Sequence, residues 1–284
     1  MKFISKTHLN VILYNLSRRE TDLVLERFSQ LGCKLVVFNN SPSIEGYDYE
    51  NKKNVVKYFG NERNVGIARA QTVCMEWSFS NGAEYVIQFD QDSEPNNDYL
   101  QRIHTSFEMI VAKEEPVGCL GATFYDKIDE VSEPEYGRIQ EVDKTISSGL
   151  LIPKSTFLTV GAMADHLFID YVDFEYCWRM KQSGLKTFVS DSVRLPHRIG
   201  EGKTKLIGIS IRKSAPIRLY YQMRNLLILY RLDYVPIKWK KYCLKRLPID
   251  FALNLILFDD RFSRLKYMLK GLAHGIVRKT KDES

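Results

Sequence analysis

The chain has 284 residues, 44% of them hydrophobic and 27% charged, which is the composition of a globular protein with a substantial core. Its first residues lack the apolar stretch and cleavage site of a signal peptide, and no apolar run approaches the roughly 20 residues that span a bilayer. The five scattered cysteines form no CxxC pair. We therefore expect a cytoplasmic protein with reduced thiols and no zinc or redox site.

The first half of the sequence alternates strand-like and helix-like segments. Strands are predicted at LNVILYN, CKLVVFNN, NVVKYF and EYVIQFD, and helices at SRRETDLVLERFSQLG and NVGIARAQTVCMEWSFSNG. Strands separated by helices of this length form a parallel sheet with helices on both faces. Ligands bind such sheets beyond the carboxyl ends of the strands, where Asn15, Asn39, Asn40 and Asp90 lie.

The second half of the sequence changes character twice. After a predicted helix near residues 98–113 come short strands and turns, such as PVGCLGATFY, GRIQEVD and TISSGLLIP. A helix is predicted around residues 172–183 and a strand at LKTFVSDSVRLPH. From about Ser214 the pattern is helical. We therefore predict a boundary between an α/β body and a helical region near residues 200–213.

Charge divides the chain at the same place. Residues 203–284 contain 19 Lys and Arg against 6 Asp and Glu, whereas the first 202 residues contain 22 against 29. An acidic body followed by a basic helical region predicts that this region contacts something anionic, either nucleic acid or an anionic membrane surface.

Two aspartates follow the fourth predicted strand. Asp90 and Asp92 in YVIQFDQDSEP are two residues apart, so their side chains point to the same side of an extended segment. Two such carboxylates repel each other unless a cation lies beside them. Mg²⁺ or Mn²⁺, with substrate phosphates completing its shell, is one explanation. A helix cap beside a solvated carboxylate explains the pair equally well.

Two further segments carry polar residues suited to ligand binding. NERNVGIARAQ places Asn64 and Gly66 at a helix start whose amides can approach a phosphate, although an ordinary N-cap has the same pattern. FIDYVDFEYCWR places Asp170, Asp173 and Glu175 among aromatic residues. Burial there would raise the pKa of a carboxyl group and make it a candidate general base. A helix start stabilised by acidic residues is the alternative.

Six segments of the chain, in their order along the sequence, resemble the motifs of glycosyltransferase family 2, especially of its bacterial rhamnosyltransferases. These segments are VILYN, NNS, ERNVGIARAQ, FDQDS, SSGLLI and FIDYVDFEYCWR. The sequence around the last of these segments and around the later His197 is also similar to that of the galactofuranosyltransferases in the family. The resemblance spans roughly residues 8–200, and YYQMRNLLILY and LKGLAHGIVRK extend it into the helical region.

The resemblance implies the GT-A fold, a Rossmann-like α/β fold with a mostly parallel sheet and helices on both faces. Residues 1–202 would be the catalytic domain, with a nucleotide-sugar-binding half of about residues 1–95 and an acceptor half of about residues 96–202. Residues 203–284 would form a basic helical C-terminal region.

The resemblance also implies roles for individual residues. Asp90 and Asp92 would form a DxD motif that binds Mg²⁺ or Mn²⁺, His197 would complete the metal shell, and Asp173 would be the catalytic base. Asn39 stands where many relatives have an Asp that contacts the pyrimidine, and an amide can both accept from and donate to that ring. The implied donor contacts are Tyr14, Asn15, Asn39, Arg63, Asn64, Gly66, Asp90, Gln91, Ser148, Gly149 and Glu175.

Members of this family transfer a sugar from a nucleotide diphosphate to an acceptor hydroxyl. The resemblance predicts an inverting hexosyltransferase that moves L-rhamnose from dTDP-rhamnose onto a bacterial surface polysaccharide such as O-antigen, capsule or cell-wall glycan. UDP-galactofuranose or another UDP-hexose is the alternative donor. The expected acceptor is a glycan linked to polyprenyl diphosphate, at the inner face of the cytoplasmic membrane.

The basic helical region suits that location. IKWKKYCLKRL mixes Lys and Arg with Trp239, Tyr242 and Leu, as interfacial helices do. We predict peripheral attachment to an anionic membrane surface and no nucleic-acid partner. A solvated face on a helical bundle that serves for homodimerisation is the alternative.

Other classes of protein fit the sequence less well. A metal-dependent phosphohydrolase of the haloacid dehalogenase type would carry its DxD after the first strand. A sugar nucleotidylyltransferase would carry a Gly-rich loop there, where this chain has YNLSRRE. A non-catalytic protein that binds an anionic surface would explain the basic region but none of the carboxylates.

Overall fold

The computed structural model describes residues 2–41, 47–60, 63–125, 137–196, 203–206, 209–212 and 215–277. The strands of its main sheet are β1 Thr7–Leu13, β2 Lys34–Asn39, β3 Val55–Gly60, β4 Tyr85–Asp90, β5 Val117–Tyr125, β6 Ile139–Val142, β7 Leu150–Pro153 and β8 Lys186–Pro196. Their order across the sheet is β3-β2-β1-β4-β7-β5-β8-β6. A separate antiparallel hairpin consists of β9 Lys203–Leu206 and β10 Ile209–Arg212.

Helices connect these strands and complete the chain. They are α1 Lys2–Ser5, α2 Arg18–Ser29, α3 Ile67–Ser80, α4 Tyr99–Val111, α5 Lys154–Val160, α6 Val172–Gln182, α7 Pro216–Tyr230, α8 Ile237–Ile256 and α9 Arg261–Val277, with a 3-10 turn at Asp165–Leu167. The strands and long helices that the sequence predicts are all present, whereas α1, α5 and the hairpin are additional.

The sheet is mostly parallel, as predicted. Strands β3, β2, β1 and β4 run parallel to one another, and β5 runs parallel to β8. Strand β7 lies antiparallel between β4 and β5, and β6 is an antiparallel edge strand. Because Leu150 at the start of β7 pairs with Gln88 near the end of β4, the loop before β7 lies at the carboxyl edge of the sheet.

Both faces of the sheet are covered by helices, which is why its central strands read as continuous apolar runs. Side chains alternate along β1, so Leu9, Val11 and Leu13 enter a cluster with α2 and α4. The opposite face packs against α3 and α6 through residues such as Met75 and Trp178.

The helical region shares this second cluster. Leu226 and Leu229 of α7 and Trp239 of α8 belong to the same cluster as Trp178, so α7 and α8 are part of the core of the body. Helix α9 packs closely on α7, because a Cβ at Gly271 would lie 2.4 Å from the carbonyl oxygen of Tyr220. None of the helices in the described ranges is both long and apolar enough to cross a membrane.

Candidate active site

The two predicted metal-binding aspartates lie at the carboxyl end of β4. Asp90 is the last residue of the strand, and Asp92 is exposed in the loop that follows. Three hydrogen bonds, from Tyr14 and Arg27, fix this loop. The backbone N–H of Tyr14 donates to Oε1 of Gln91 at 2.6 Å, and Nη1 of Arg27 donates to the carbonyl oxygens of Gln91 and Ser93 at 3.3 and 2.9 Å.

The loop before β7 directly contacts the end of β4 and the loop that follows it. The hydroxyl groups of Ser148 and Ser93 are 2.5 Å apart, and the N–H of Gly149 donates to the carbonyl oxygen of Gln88 at 2.7 Å. Gly149 has a φ of 71°, and its carbonyl accepts from the hydroxyl of Tyr99 at 2.6 Å. The structure therefore brings Ser148 and Gly149, two of the predicted donor contacts, beside the segment that carries Asp90 and Asp92.

The carboxyl group of Asp90 lies in a crowded acidic environment. Its pKa is raised to about 7, mainly by burial and then by the negative charges of Asp92 and Asp173, while the guanidinium of Arg218 acts in the opposite direction. Ionised Asp90 therefore needs a compensating cation, because burial and like charges both disfavour the carboxylate.

Asp173 lies in the first turn of α6, near its amino terminus. The backbone N–H of Phe174 donates to its Oδ1 at 2.9 Å. The pKa of Asp173 is raised to about 6, mainly by burial; backbone N–H groups, including those of Phe174 and Ser147, lower it, and the charge of Asp170 raises it. A carboxylate with this pKa is ionised at neutral pH and is still a useful proton acceptor.

Glu175 does not contribute a free carboxylate to this site. It is 2% exposed, and Arg179 donates to its Oε1 at 2.7 Å and to its Oε2 at 3.0 Å. The hydroxyl of Tyr234 donates to the same Oε1 at 2.7 Å. The hydrogen bond from Tyr234 joins α6 to the chain after α7. Because both carboxylate oxygens of Glu175 are engaged inside the protein, its predicted donor contact is not supported.

A second polar cluster lies where β2 ends. Asn39 is 3% exposed, and its Oδ1 accepts from the hydroxyl of Ser41 at 2.6 Å. Among the residues that the structure describes, its Nδ2 has no hydrogen-bond partner. Asn40 donates from Nδ2 to Oδ1 of Asn64 at 3.0 Å and accepts from the N–H of Val65 at 2.8 Å. Asn64 is thus held beside the end of β2.

The remaining predicted donor contacts surround this edge of the sheet. Asn15, which has a φ of 51°, is exposed next to Tyr14, and Arg63 is exposed at the start of the segment that leads to α3. Gly66 is buried with a φ of 86°, and a Cβ there would lie 2.6 Å from the carbonyl oxygen of Phe168. Only a glycine can therefore occupy this position without moving the chain.

The residues present suit a divalent cation. Mg²⁺ and Mn²⁺ are often held by one or two carboxylates while substrate phosphates supply the other ligands, and Asp90 and Asp92 provide that pair. Across the described residues, no group of three or more His, Cys, Asp or Glu side chains is arranged to hold a metal. The predicted third ligand, His197, lies outside those residues.

A positively charged side chain at this site, that of Arg218, was not predicted from the sequence. Arg218 of α7 donates to Oδ1 and Oδ2 of Asp170 at 2.6 and 3.3 Å. Its positive charge also acts to lower the pKa of Asp90. The sequence gives no local signal for this pair, because its members are far apart in the chain.

Comparisons with known proteins bear on the fold and the activity of the chain. No family model matches the chain. The chain is 29% identical over 286 residues to the dTDP-rhamnosyl transferase RfbF of Shigella flexneri, covering 94% of this chain and 93% of that protein.

Two solved structures share the fold. GalNAc-T7 with UDP, GalNAc and Mn²⁺ has a TM-score of 0.56 and 13% identity, covering 97% of this chain and 56% of that chain. The chain thus spans just over half the length of GalNAc-T7. S. aureus TarS 1-349 in complex with UDP-GlcNAc has a TM-score of 0.51 and 15% identity, covering 94% of this chain and 81% of that chain.

At such identities the two structures bear on the fold alone, and the similarity to RfbF bears on the activity. The predicted resemblance to rhamnosyltransferases and the predicted GT-A fold are both confirmed. The chain is a glycosyltransferase with the GT-A fold.

Proposed function

We propose that the chain is an inverting, metal-dependent rhamnosyltransferase of glycosyltransferase family 2 that uses dTDP-rhamnose. The observation that carries this proposal is the similarity to the Shigella flexneri dTDP-rhamnosyl transferase, which extends over 94% of the chain and so includes most of the helical region. The site supports it, because the buried carboxylate of Asp173 at the start of α6 lies near enough to the aspartate pair at the end of β4 for its charge to raise the pKa of Asp90.

In the reaction we propose, Asp173 removes the proton of the acceptor hydroxyl while the hydroxyl oxygen attacks the anomeric carbon. The bond from that carbon to the diphosphate oxygen breaks on the opposite side, which inverts the carbon through an oxocarbenium-like transition state. Asp90 and Asp92 would hold Mg²⁺ or Mn²⁺. When bound, this cation neutralises charge on the diphosphate. No covalent intermediate with the protein is needed.

The cluster at the end of β2 suits a pyrimidine base. The buried Nδ2 of Asn39 lacks a partner within the described part of the chain, and a buried amide N–H without one is unfavourable. A carbonyl oxygen of thymine or uracil would satisfy it, and Oδ1 of Asn39 retains a lone pair for the ring N–H. Thymine and uracil share these groups, so Asn39 does not by itself select dTDP over UDP.

A screen of nucleotide sugars tests the donor. We expect dTDP-rhamnose with Mn²⁺ to raise the melting temperature more than UDP-GlcNAc, UDP-galactose or UDP-galactofuranose at the same concentration, because bound ligand stabilises the folded state. UDP-sugars are the second candidates, since the TarS structure contains UDP-GlcNAc and the GalNAc-T7 structure contains UDP. A larger shift with a UDP-sugar would overturn the choice of donor while leaving the transferase assignment intact.

The acceptor we propose is a glycan on polyprenyl diphosphate at the inner face of the cytoplasmic membrane. The outer faces of α8 and α9 support it. Both faces combine exposed apolar side chains with lysines at helical spacing. On α8 these residues are Lys238, Tyr242, Lys245, Ile249 and Ile256, and on α9 they are Phe262, Lys266, Leu269 and Ile276. Such faces bind anionic lipid surfaces.

Vesicle flotation tests the membrane proposal. We expect the chain to float with vesicles of phosphatidylglycerol and phosphatidylcholine at low salt, and less at high salt. Replacing Lys238, Lys245 and Lys266 together by Gln should weaken binding by roughly 100-fold, because each lysine near an anionic surface contributes about 1 kcal/mol.

The matched control replaces the exposed body residues Lys34, Lys53 and Lys113 by Gln. Equal loss in the two triple variants would show that net charge alone governs attachment. Wild-type protein that does not float and elutes as a dimer would instead support the homodimer alternative.

A further inference from the structure

Residues 166–171, which run from the 3-10 turn to the start of α6, form a loop with a strained backbone. Phe168, Asp170 and Tyr171 have φ values of 66°, 65° and 67°, although none of them is a glycine. Phe168 has a ψ of −62°, and the N–H of Ile169 donates to the carbonyl oxygen of Leu167 at 2.7 Å. This is a classic γ-turn, which is rare because it is strained. Such conformations persist only where the surroundings hold them.

Two buried side chains of α7 hold this loop through its carbonyl groups. Asn225, which is fully buried, donates from Nδ2 to the carbonyl oxygens of Leu167, Ile169 and Asp170 at 2.9, 2.8 and 3.0 Å. Arg224, which is 4% exposed, donates from Nη2 to the carbonyl oxygens of His166 and Leu167 at 2.9 and 2.8 Å. Arg224 also donates from Nε to Oδ1 of Asn225 at 2.9 Å, which orients the amide.

Other side chains of α7 contact the same loop. Besides the Arg218–Asp170 ion pair, the ring of Phe168 stacks on Tyr221, with centroids 4.7 Å apart and planes 7° apart. Helix α7 therefore engages the loop through backbone carbonyls, a carboxylate and an aromatic ring.

The opposite side of the loop rests on the start of α3. The N–H of Ala68 donates to the carbonyl oxygen of Phe168 at 3.4 Å, and Gly66 approaches this carbonyl too closely for any side chain. Arg69 and Thr72 bind the carboxylate of Asp165 at 3.3 Å each. The loop is thus held between a segment predicted to contact the donor and α7, and Asp173 lies two residues beyond it.

We infer that Arg224 and Asn225 are positioning residues for the transfer reaction: they fix the strained loop at residues 166–171 and thereby the position of Asp173 relative to Asp90 and Asp92. The inference rests on the proposed role of Asp173. It makes α7 part of the catalytic centre, in addition to any role of the helical region at a surface.

A purely structural contact would not require these residue types. Burying a guanidinium and an amide is unfavourable unless their hydrogen bonds are satisfied, and apolar side chains join helices at lower cost. Helix α7 already has such contacts through Leu226 and Leu229. The polar pair instead recognises backbone carbonyls, which apolar side chains cannot do.

The test compares Asn225→Ala with Leu229→Ala, which removes a fully buried α7 side chain that, being apolar, makes no hydrogen bond to the carbonyl groups of the loop. Turnover is measured as release of dTDP from dTDP-rhamnose with Mn²⁺ and water as acceptor, or with the donor that the screen identifies, at a temperature where both variants are folded. We expect Asn225→Ala to lower kcat about 10- to 100-fold, with KM for the donor within about twofold, because small misplacements of reacting groups have effects of this size.

Leu229→Ala should lower Tm at least as much but leave kcat within about twofold. Hydrogen exchange adds a readout that does not need activity: residues 164–174 should exchange faster in Asn225→Ala than in Leu229→Ala. An unchanged kcat in Asn225→Ala, or an equal loss in both variants, would overturn the inference. If Asn225→Ala does not fold, Arg224→Lys gives the same test, because a lysine keeps the charge but not the planar guanidinium.

Failure of the proposed function has a different signature. If Asp173 is not the base, Asp173→Asn remains active, whatever happens to Asn225→Ala. If only the positioning role is wrong, Asp173→Asn is inactive while Asn225→Ala turns over normally.

Discussion

Asp173→Asn is expected to lower turnover 100- to 10,000-fold, or about 3 to 5 kcal/mol of transition-state stabilisation, while changing the affinity for donor by less than about twofold. The amide is close in shape to the carboxylate but cannot accept the proton of the attacking hydroxyl. The measurement is dTDP release for kcat and calorimetry with Mn²⁺ for donor affinity. Near wild-type turnover would remove Asp173 from the role of base.

The same variant makes a prediction about stability. The pKa of Asp173 is raised to about 6 in the folded protein, whereas an unfolded aspartate titrates near 4. Ionisation therefore disfavours the folded state, and this destabilisation develops as the pH rises from about 4 to about 6. An asparagine does not ionise, so the variant should melt at a higher temperature than wild type at pH 8 and at a similar temperature at pH 4. A lower Tm at pH 8 would indicate that lost activity reflects damage to the fold.

Asp92→Ala is expected to abolish the metal-dependent part of donor binding. In wild-type protein Mn²⁺ should tighten binding of dTDP-rhamnose on the order of 100-fold relative to binding with EDTA, because a divalent cation contributes several kcal/mol at a diphosphate. In the variant, affinities with Mn²⁺ and with EDTA should be nearly equal. Asp92 is the informative position because it is exposed, so its loss leaves little cavity.

The control for this variant is Glu76→Ala, which removes an exposed carboxylate of α3. It should retain the wild-type dependence on Mn²⁺. Equal binding by Asp92→Ala and wild type with Mn²⁺ present, or wild-type binding that does not depend on metal, would contradict the assignment of the aspartate pair as the metal site.

Much of the fold could be predicted from the sequence because its signals are local. A strand such as EYVIQFD is apolar along its length and follows a helix that closes at Asn81 and Gly82, so both its type and its end can be read directly. The antiparallel placement of β7 could not be predicted. Four residues, LLIP, carry no information about which strands they pair with, because that choice depends on contacts across the whole sheet.

The candidate site likewise contains some residues that could be predicted from the sequence and others that could not. Asp90, Asp92 and Asp173 could be predicted because a strand end and an acidic helix start are visible in short segments. The role of Asn225 could not, since its partners lie 55 to 58 positions earlier in the chain. Adjacent Arg and Asn within the apolar helix were the available signal. The burial of Glu175 had a signal too, because Arg179 follows it at the spacing of a helical ion pair.

The shared core of α6, α7 and α8 constrains how such a chain can change through evolution. An appendage attached by a linker can be replaced as a unit, but α7 and α8 cannot be exchanged without rebuilding the packing around Trp178. Side chains on the outward faces of α8 and α9 are exposed, so they can change without rebuilding that packing. The inner faces of α7 and α8 pack in the core that they share with α6, so their side chains cannot change independently of that core.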